Sequence, residues 1–347
     1  MKINYQQTIS ACFIGYIIQA IVNNFVPLLF VTFQKSYSIE LSKITVLITI
    51  NFVIQLCIDL ASAYFIDKIG YRASALIAHG CSAAGLILLT ILPELLPSAY
   101  AGIVISVIIY AIGGGLLEVL LSPIIEACPT ENKEKAMSLL HSFYCWGHMG
   151  VVLLSTAFFA IFGIENWKAL ALIWAAVPVF NGIFFTRVPI YPLVDEGEKG
   201  LTLKQLAASK TFWIMMLMMV CAGASEQSVS QWVSAFAAEG LGVSKTIADL
   251  AGPTAFAALM GTSRLIYGKL GHKIDINKFM GFSCVLCIAA YLCISIVQNP
   301  AIELISCAVC GFSVGILWPA TFSKASASIK GGGTLLFAML ALAGDLG

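Results

Sequence analysis

Ala63-Tyr-Phe65-Ile-Asp67-Lys68-Ile69-Gly70-Tyr-Arg72 follows the second long apolar block of this chain, and Gly268-Lys-Leu270-Gly-His272-Lys273-Ile274 follows the eighth. The two stretches echo each other at an offset of about 205, sharing the Lys-Ile pair and its register after the span, and an internal repeat of this size points to paired helix bundles. In the same register Asp59 corresponds to Arg264, an acid and a base at matched depths near the ends of their blocks. They are candidates for an ion pair between the two halves; alternatively each charge snorkels or binds loop backbone on its own.

Working outward from this repeat, the apolar blocks run about 18 to 25 residues, enough to cross a hydrocarbon core of about 30 Å at 1.5 Å per helical residue. The spans fall near 8–32, 44–66, 74–93, 99–125, 137–162, 167–187, 211–235, 250–270, 279–297 and 301–322, with a last one opening at Thr334. Of the 347 residues, 59% are hydrophobic and 11% charged, against roughly 25% charged in a soluble domain. A water-soluble fold is excluded. The final block stops after about fourteen residues, too few for a tilted span, so the chain reads as a twelve-helix protein cut within its eleventh helix.

The first block is too long for the apolar core of a signal peptide and no Ala-x-Ala site follows it, so it reads as a retained span with a cytoplasmic N-terminus. Charge agrees with that topology. Lys2, Lys68, Arg72, Lys133, Lys135, Arg187, Lys199, Lys204, Lys210, Lys269, Lys273, Lys278, Lys324 and Lys330 fall on the inner side, and only Lys35, Lys43, Lys168 and Lys245 on the outer. The plasma membrane is the expected location. Basic residues spread over loops give no nucleic-acid-binding face. The polar stretch 188–210, with Leu201-Thr-Leu-Lys-Gln-Leu as a short amphipathic helix, separates an N-terminal bundle (1–187) from an incomplete C-terminal one (211–347). The fold class is all-α membrane protein, two pseudo-symmetric six-helix bundles.

Asp67-Lys-Ile-Gly-Tyr-Arg72 resembles the signature Gly-x-Leu-x-Asp-Arg-x-Gly-Arg-Arg of the major facilitator superfamily, with Ala63 and Phe65 in place of its Gly and Leu. Gly115-Leu-Leu-Glu118-Val-Leu-Leu-Ser-Pro123 in the fourth span, Gly223-Ala-Ser-Glu226-Gln-Ser-Val-Ser-Gln-Trp232 in the seventh, Gly311-x3-Gly315-Ile-Leu-Trp318-Pro319 in the tenth and Leu336–Asp345 in the last are similar to the fucose/glucose/galactose proton-symporter branch. The resemblance implies secondary active transport, two bundles rocking around a cavity lined by the first, fourth, seventh and tenth spans. It also implies a gating role for Asp67, Lys68, Gly70 and Arg72, joined by Asp59 and Arg264. One departure stands out: Asn23-Asn24 is present, but Pro27 occupies the position of that branch's helix-1 acid.

An acid far from a helix end is costly in a bilayer and is by default a functional candidate. Glu118 and Glu226 are such acids. Burial favours the neutral form of a carboxyl and lets it load and release a proton near neutral pH, so both are candidate proton-coupling groups. The alternative is a permanently protonated or hydrogen-bonded group that packs helices together.

For the substrate, Tyr16, Gln19 and Asn23 form a polar stripe at spacings of three and four, with Asn24 beside it, and Gln227 and Gln231 repeat the pattern in the seventh span. Amides donate and accept, which suits a sugar's hydroxyls, and Trp232 or Trp318 offers a stacking face. The same residues also serve as interhelical glue or interfacial anchors. The partners expected are a small neutral solute, a proton or sodium ion and the lipid bilayer.

Cys284-x2-Cys287 and Cys307-x2-Cys310 have the spacing of a zinc ribbon, but Cys284 and Cys307 sit about 8 Å from opposite membrane boundaries, too far apart for one tetrahedral ion. No metal or cofactor is expected. His141 and His148 lie on one helix face and read as hydrogen-bonding groups or a proton relay. Pro27, Pro123, Pro178, Pro253 and Pro319, with Gly113-Gly-Gly115, permit bending. The glycine run lacks a phosphate loop's Lys-Ser/Thr ending, and no Ser/Lys dyad or His-Glu-x-x-His motif suggests an enzyme. Two rivals remain: a proton-coupled exporter of apolar compounds, and a sensor that binds without transporting.

Overall fold

The computed structural model describes residues 5–193, 200–230, 245–271, 273–297 and 299–347, and every regular element among them is helical. The helices are α1 (Tyr5–Asn24), α2 (Phe30–Tyr37), α3 (Leu41–Ile69), α4 (Tyr71–Leu95), α5 (Ala99–Ala127), α6 (Lys133–Phe162), α7 (Trp167–Phe185), α8 (Leu203–Ala207), α9 (Lys210–Ser230), α10 (Lys245–Leu270), α11 (Ile276–Ile296), α12 (Pro300–Val314), α13 (Leu317–Ser328) and α14 (Gly333–Leu346). Among the described residues nine helical stretches are long and apolar enough to cross a membrane. Their outward faces carry large apolar side chains such as Leu95, Ile161, Phe180 and Val285, as a hydrocarbon solvent requires.

The chain divides into two compact units, one of Met1–Pro129 with Gly150–Glu198, the other of Thr130–Met149 with Lys199–Gly347. In the first, α5 packs on α1, α3 and α4, while α7 packs on α1 and α4. Glycine permits these approaches: a Cβ on Gly85 of α4 would meet the Tyr110 backbone nitrogen at 2.5 Å, and one on Gly102 of α5 would meet the Leu92 carbonyl carbon at 2.5 Å. Lipid is as apolar as Leu, so close van der Waals contact and hydrogen bonds hold such helices together. Phe25, Leu29 and Phe33 fill the core with Leu86, Leu89, Val107, Tyr110, Trp167 and Trp174.

Proline and glycine interrupt the spans where the backbone requires it. Pro27 lies in a short 3-10 turn, Val26–Leu29, that divides the first span into α1 and α2. Gly70 alone links α3 to α4, at φ +85°, a conformation glycine adopts without strain. In the second unit the tenth span breaks between α12 and α13 at Gly315-Ile316. Pro319 has no N–H to donate to the Gly315 carbonyl four residues earlier, so that oxygen is left for another donor. The surface helix α8 opens with a full capping box, Thr202 with Gln205, which is why five residues suffice for it.

Candidate functional site

The first unit gathers the α1 stripe against two neighbours. Gln19 Nε2 donates to Glu118 Oε2 of α5 at 2.6 Å, and Tyr16 Oη lies 3.4 Å from Ser122 Oγ, one turn further along α5. The antiparallel pairing of Tyr16 with Ser122 and Gln19 with Glu118 aligns one polar face of each helix. Asn23 Oδ1 accepts from Gln55 Nε2 at 2.7 Å and from Asn51 Nδ2 at 3.2 Å, both on α3. Asn24 instead donates to its own helix at the Ala20 carbonyl, 2.8 Å, so the Asn pair divides its work.

The glycine run explains how three helices converge there. A Cβ on Gly114 would stand 3.0 Å from Val22 Cγ1 of α1, and one on Gly115 would stand 3.0 Å from the Gln55 Cα of α3. Gly113 faces Ser82 and Ala78 of α4. The run thus serves close approach on three sides, where spacing alone suggested bending. Asn51, Gln55 and Ser122 were missed by the sequence reading; the only trace of the first two is their spacing of four.

Of the gating candidates, Asp67 belongs to the last turn of α3, Lys68 is exposed and Asp59 is fully buried in α3. Arg72 donates to the Phe185 carbonyl at 2.6 Å and the Val188 carbonyl at 2.9 Å. It therefore caps the C-terminal end of α7, where a cation suits both the unpaired carbonyls and the helix dipole.

The second unit builds its polar centre on Arg264. Its Nε donates to the freed Gly315 carbonyl at 2.7 Å, and its remaining nitrogens reach the His141 carbonyl at 3.2 Å, Cys145 Sγ at 3.1 Å and Glu226 Oε2 at 3.1 Å. The guanidinium is 3% exposed and Glu226 15%, a desolvated ion pair within one unit. The Ser138 hydroxyl bonds the Arg264 carbonyl at 2.7 Å. The sequence puts Arg264 near the cytoplasmic end of its span; its side chain meets Glu226, four residues before the described end of α9.

Around this pair lies an aromatic column. The His141 and Phe322 rings stack 5.7 Å apart, Phe322 and Phe337 5.4 Å apart, and Trp318 leans on Phe322 and packs over Gly344. Gln227 is exposed and engages Ser230; Gln231 and Trp232 lie outside the described residues. Of the paired cysteines, Cys287 and Cys310 contact each other in the buried core while Cys284 is exposed. Among the described residues no group of three or more His, Cys, Asp or Glu side chains is arranged to hold a metal.

The profile described as Major Facilitator Superfamily matches residues 12–347. Among solved structures, the transporter FucP in an outward conformation is similar at a TM-score of 0.80 and 14% identity, over 97% of this chain and 88% of that one; FucP is the fucose:proton symporter of E. coli. The proton:xylose symporter XylE bound to 6-bromo-6-deoxy-D-glucose is similar at 0.77 and 14% identity, over 98% and 86%. The human organic anion transporter MFSD10 follows at 0.74 and 14%, over 99% and 91%. No curated protein sequence matches the chain. At such identities the structural likeness is one of fold.

Proposed function

The chain belongs to the major facilitator superfamily, and from that membership we propose that it is a secondary active transporter moving a neutral sugar or similar small polar metabolite together with a proton. The observation that carries this reading is the bond from Gln19 to Glu118 at 2.6 Å, set in a stripe of uncharged amides and hydroxyls on α1, α3 and α5. A carboxyl is the proton site and the amides supply the hydrogen-bonding surface for hydroxyls. Glu118 alternates between carboxylate and acid as the transporter alternates access, and Gln19 keeps it oriented in both forms.

The second acid has a different role. Glu226 is tied to Arg264 in a desolvated ion pair, an arrangement that suits a conformational latch better than a proton carrier. Arg72, bonded to the end of α7, acts as a fixed brace within its bundle. The symporters FucP and XylE support the substrate class as members of the same fold.

The test is uptake of labelled sugars into proteoliposomes by the full-length protein under an inward proton gradient, compared with Glu118→Gln and with a sodium gradient. Gradient-driven uptake lost in Glu118→Gln supports the proposal; uptake driven by sodium alone, or coupling that survives the substitution, sinks it. The aromatic column of Trp318, Phe322 and Phe337 favours one rival, proton-coupled export of apolar compounds. Under that rival, Trp318→Ala abolishes transport and Gln19→Leu leaves it intact.

A further inference from the structure

Among the described residues of the first unit, the buried oxygens with no hydrogen-bond partner include Gln19 Oε1 and Asn51 Oδ1 on the α1–α3 polar face, and Asn181 Oδ1 on α7. Gln19 and Asn51 are 3% and 6% exposed. Buried polar atoms in folded proteins are almost always paired, so an orphan acceptor asks what donor completes it. With Glu118 ionised, neither amide of the α1–α3 face can be turned to cure the fault. The Gln19 NH2 is held by the Glu118 carboxylate and the Asn51 NH2 by Asn23, and rotating either group would set an acceptor against an acceptor. The neighbours thus dictate that both amides present oxygen.

The two acceptors also belong together. Gln19 and Asn23 lie one turn apart on α1, their Cβ atoms about 6 Å from each other, and Asn51 is bonded to Asn23. An acceptor-only anion would meet two carbonyl dipoles and the Glu118 carboxyl, whereas a polyol brings the missing donors.

We propose that Asn51 of α3 contacts the transported ligand, and that Asn51 Oδ1 and Gln19 Oε1 each accept a hydrogen bond from a hydroxyl of one polyol. The assignment rests on the sugar-transporter reading above and adds a specificity-determining residue to it. Gln55 shares the bond to Asn23 but leaves no orphan oxygen, so it acts only through Asn23.

The experiment is direct binding, by titration calorimetry in detergent, of aldohexoses and their monodeoxy derivatives to the full-length wild type, Asn51→Leu and Gln55→Leu. Asn51→Leu is expected to weaken the best parent hexose about tenfold. It should leave unchanged the one deoxy derivative that lacks the contacting hydroxyl. Gln55→Leu should weaken every sugar by a similar factor. If Asn51→Leu does not fold, Asn51→Ser, whose hydroxyl is too short to reach the ligand, reads the same discrimination. A uniform loss across the panel in the Asn51 variants, or no loss, overturns this assignment alone. Failure of the wild type to bind any hexose saturably overturns the substrate class, and the assignment with it.

Discussion

Each of the two units carries an acid within an apolar helix, and they treat these acids in opposite ways. In the first, Glu118 meets the neutral amide of Gln19, and the surrounding bonds run among Tyr16, Asn23, Asn51, Gln55 and Ser122. In the second, Glu226 meets a guanidinium that is also bound to two backbone carbonyls and a thiol. An amide keeps a hydrogen bond to a carboxyl whether or not the proton is on; a guanidinium loses the ionic part of its bond when the acid beside it is protonated. One arrangement accommodates a change of protonation and the other resists it, which is why we propose different uses for two glutamates that look equivalent as isolated intramembrane acids.

The strongest way to break this comparison is Arg264→Met. Removing one partner of a buried pair costs roughly 3–5 kcal/mol, and here it also strands the Gly315 carbonyl freed by Pro319. A large fall in thermal unfolding temperature in detergent is expected; a variant as stable as wild type would show that the pair does not hold the second unit together. Next comes Glu118→Gln, expected to abolish proton-driven uptake while unfolding near the wild-type temperature, since the amide keeps an oxygen for Gln19. Coupling lost in Glu226→Gln but kept in Glu118→Gln would exchange the two roles.

Smaller effects sharpen the structural side. Arg72→Ala removes two bonds from the end of α7 and should destabilise the first unit by about 1 kcal/mol, with Arg72→Lys recovering part of it in the same unfolding assay. Smallest is Asp275→Ala. The backbone N–H groups of Lys278 and Asn277 at the start of α11 hold the Asp275 carboxyl below its ordinary pKa. Its contribution is therefore present above the ordinary aspartate range and lost as pH falls through the lowered folded-state value. Unfolding temperatures of variant and wild type should differ slightly at pH 7 and converge in acid.

Much of the fold was legible in particular residues. The spans expected at 44–66 and 99–125 appear as Leu41–Ile69 and Ala99–Ala127, because a helix in lipid must bury its own backbone over a fixed length. The stripe of Tyr16, Gln19 and Asn23 was readable from spacing, since one helix face is a property of one segment. The partners were not. Nothing local distinguishes Asn51 and Gln55 from any two amides four apart, or tells that Asn23 turns outward to them while Asn24 turns back on Ala20.

What the sequence by itself determined is the all-helical membrane class, the place of spans such as those at 44–66 and 99–125, and the membership of the family. These follow from one-dimensional quantities: apolar length, loop charge and a repeated motif. What only the tertiary structure decided is the company each polar group keeps: Gln19 with Glu118, Arg264 with Glu226 and Gly315, Arg72 with the end of α7. Those pairings depend on how far each helix is rotated about its axis and how closely glycines let neighbours approach, and both are set by packing between segments distant in the chain.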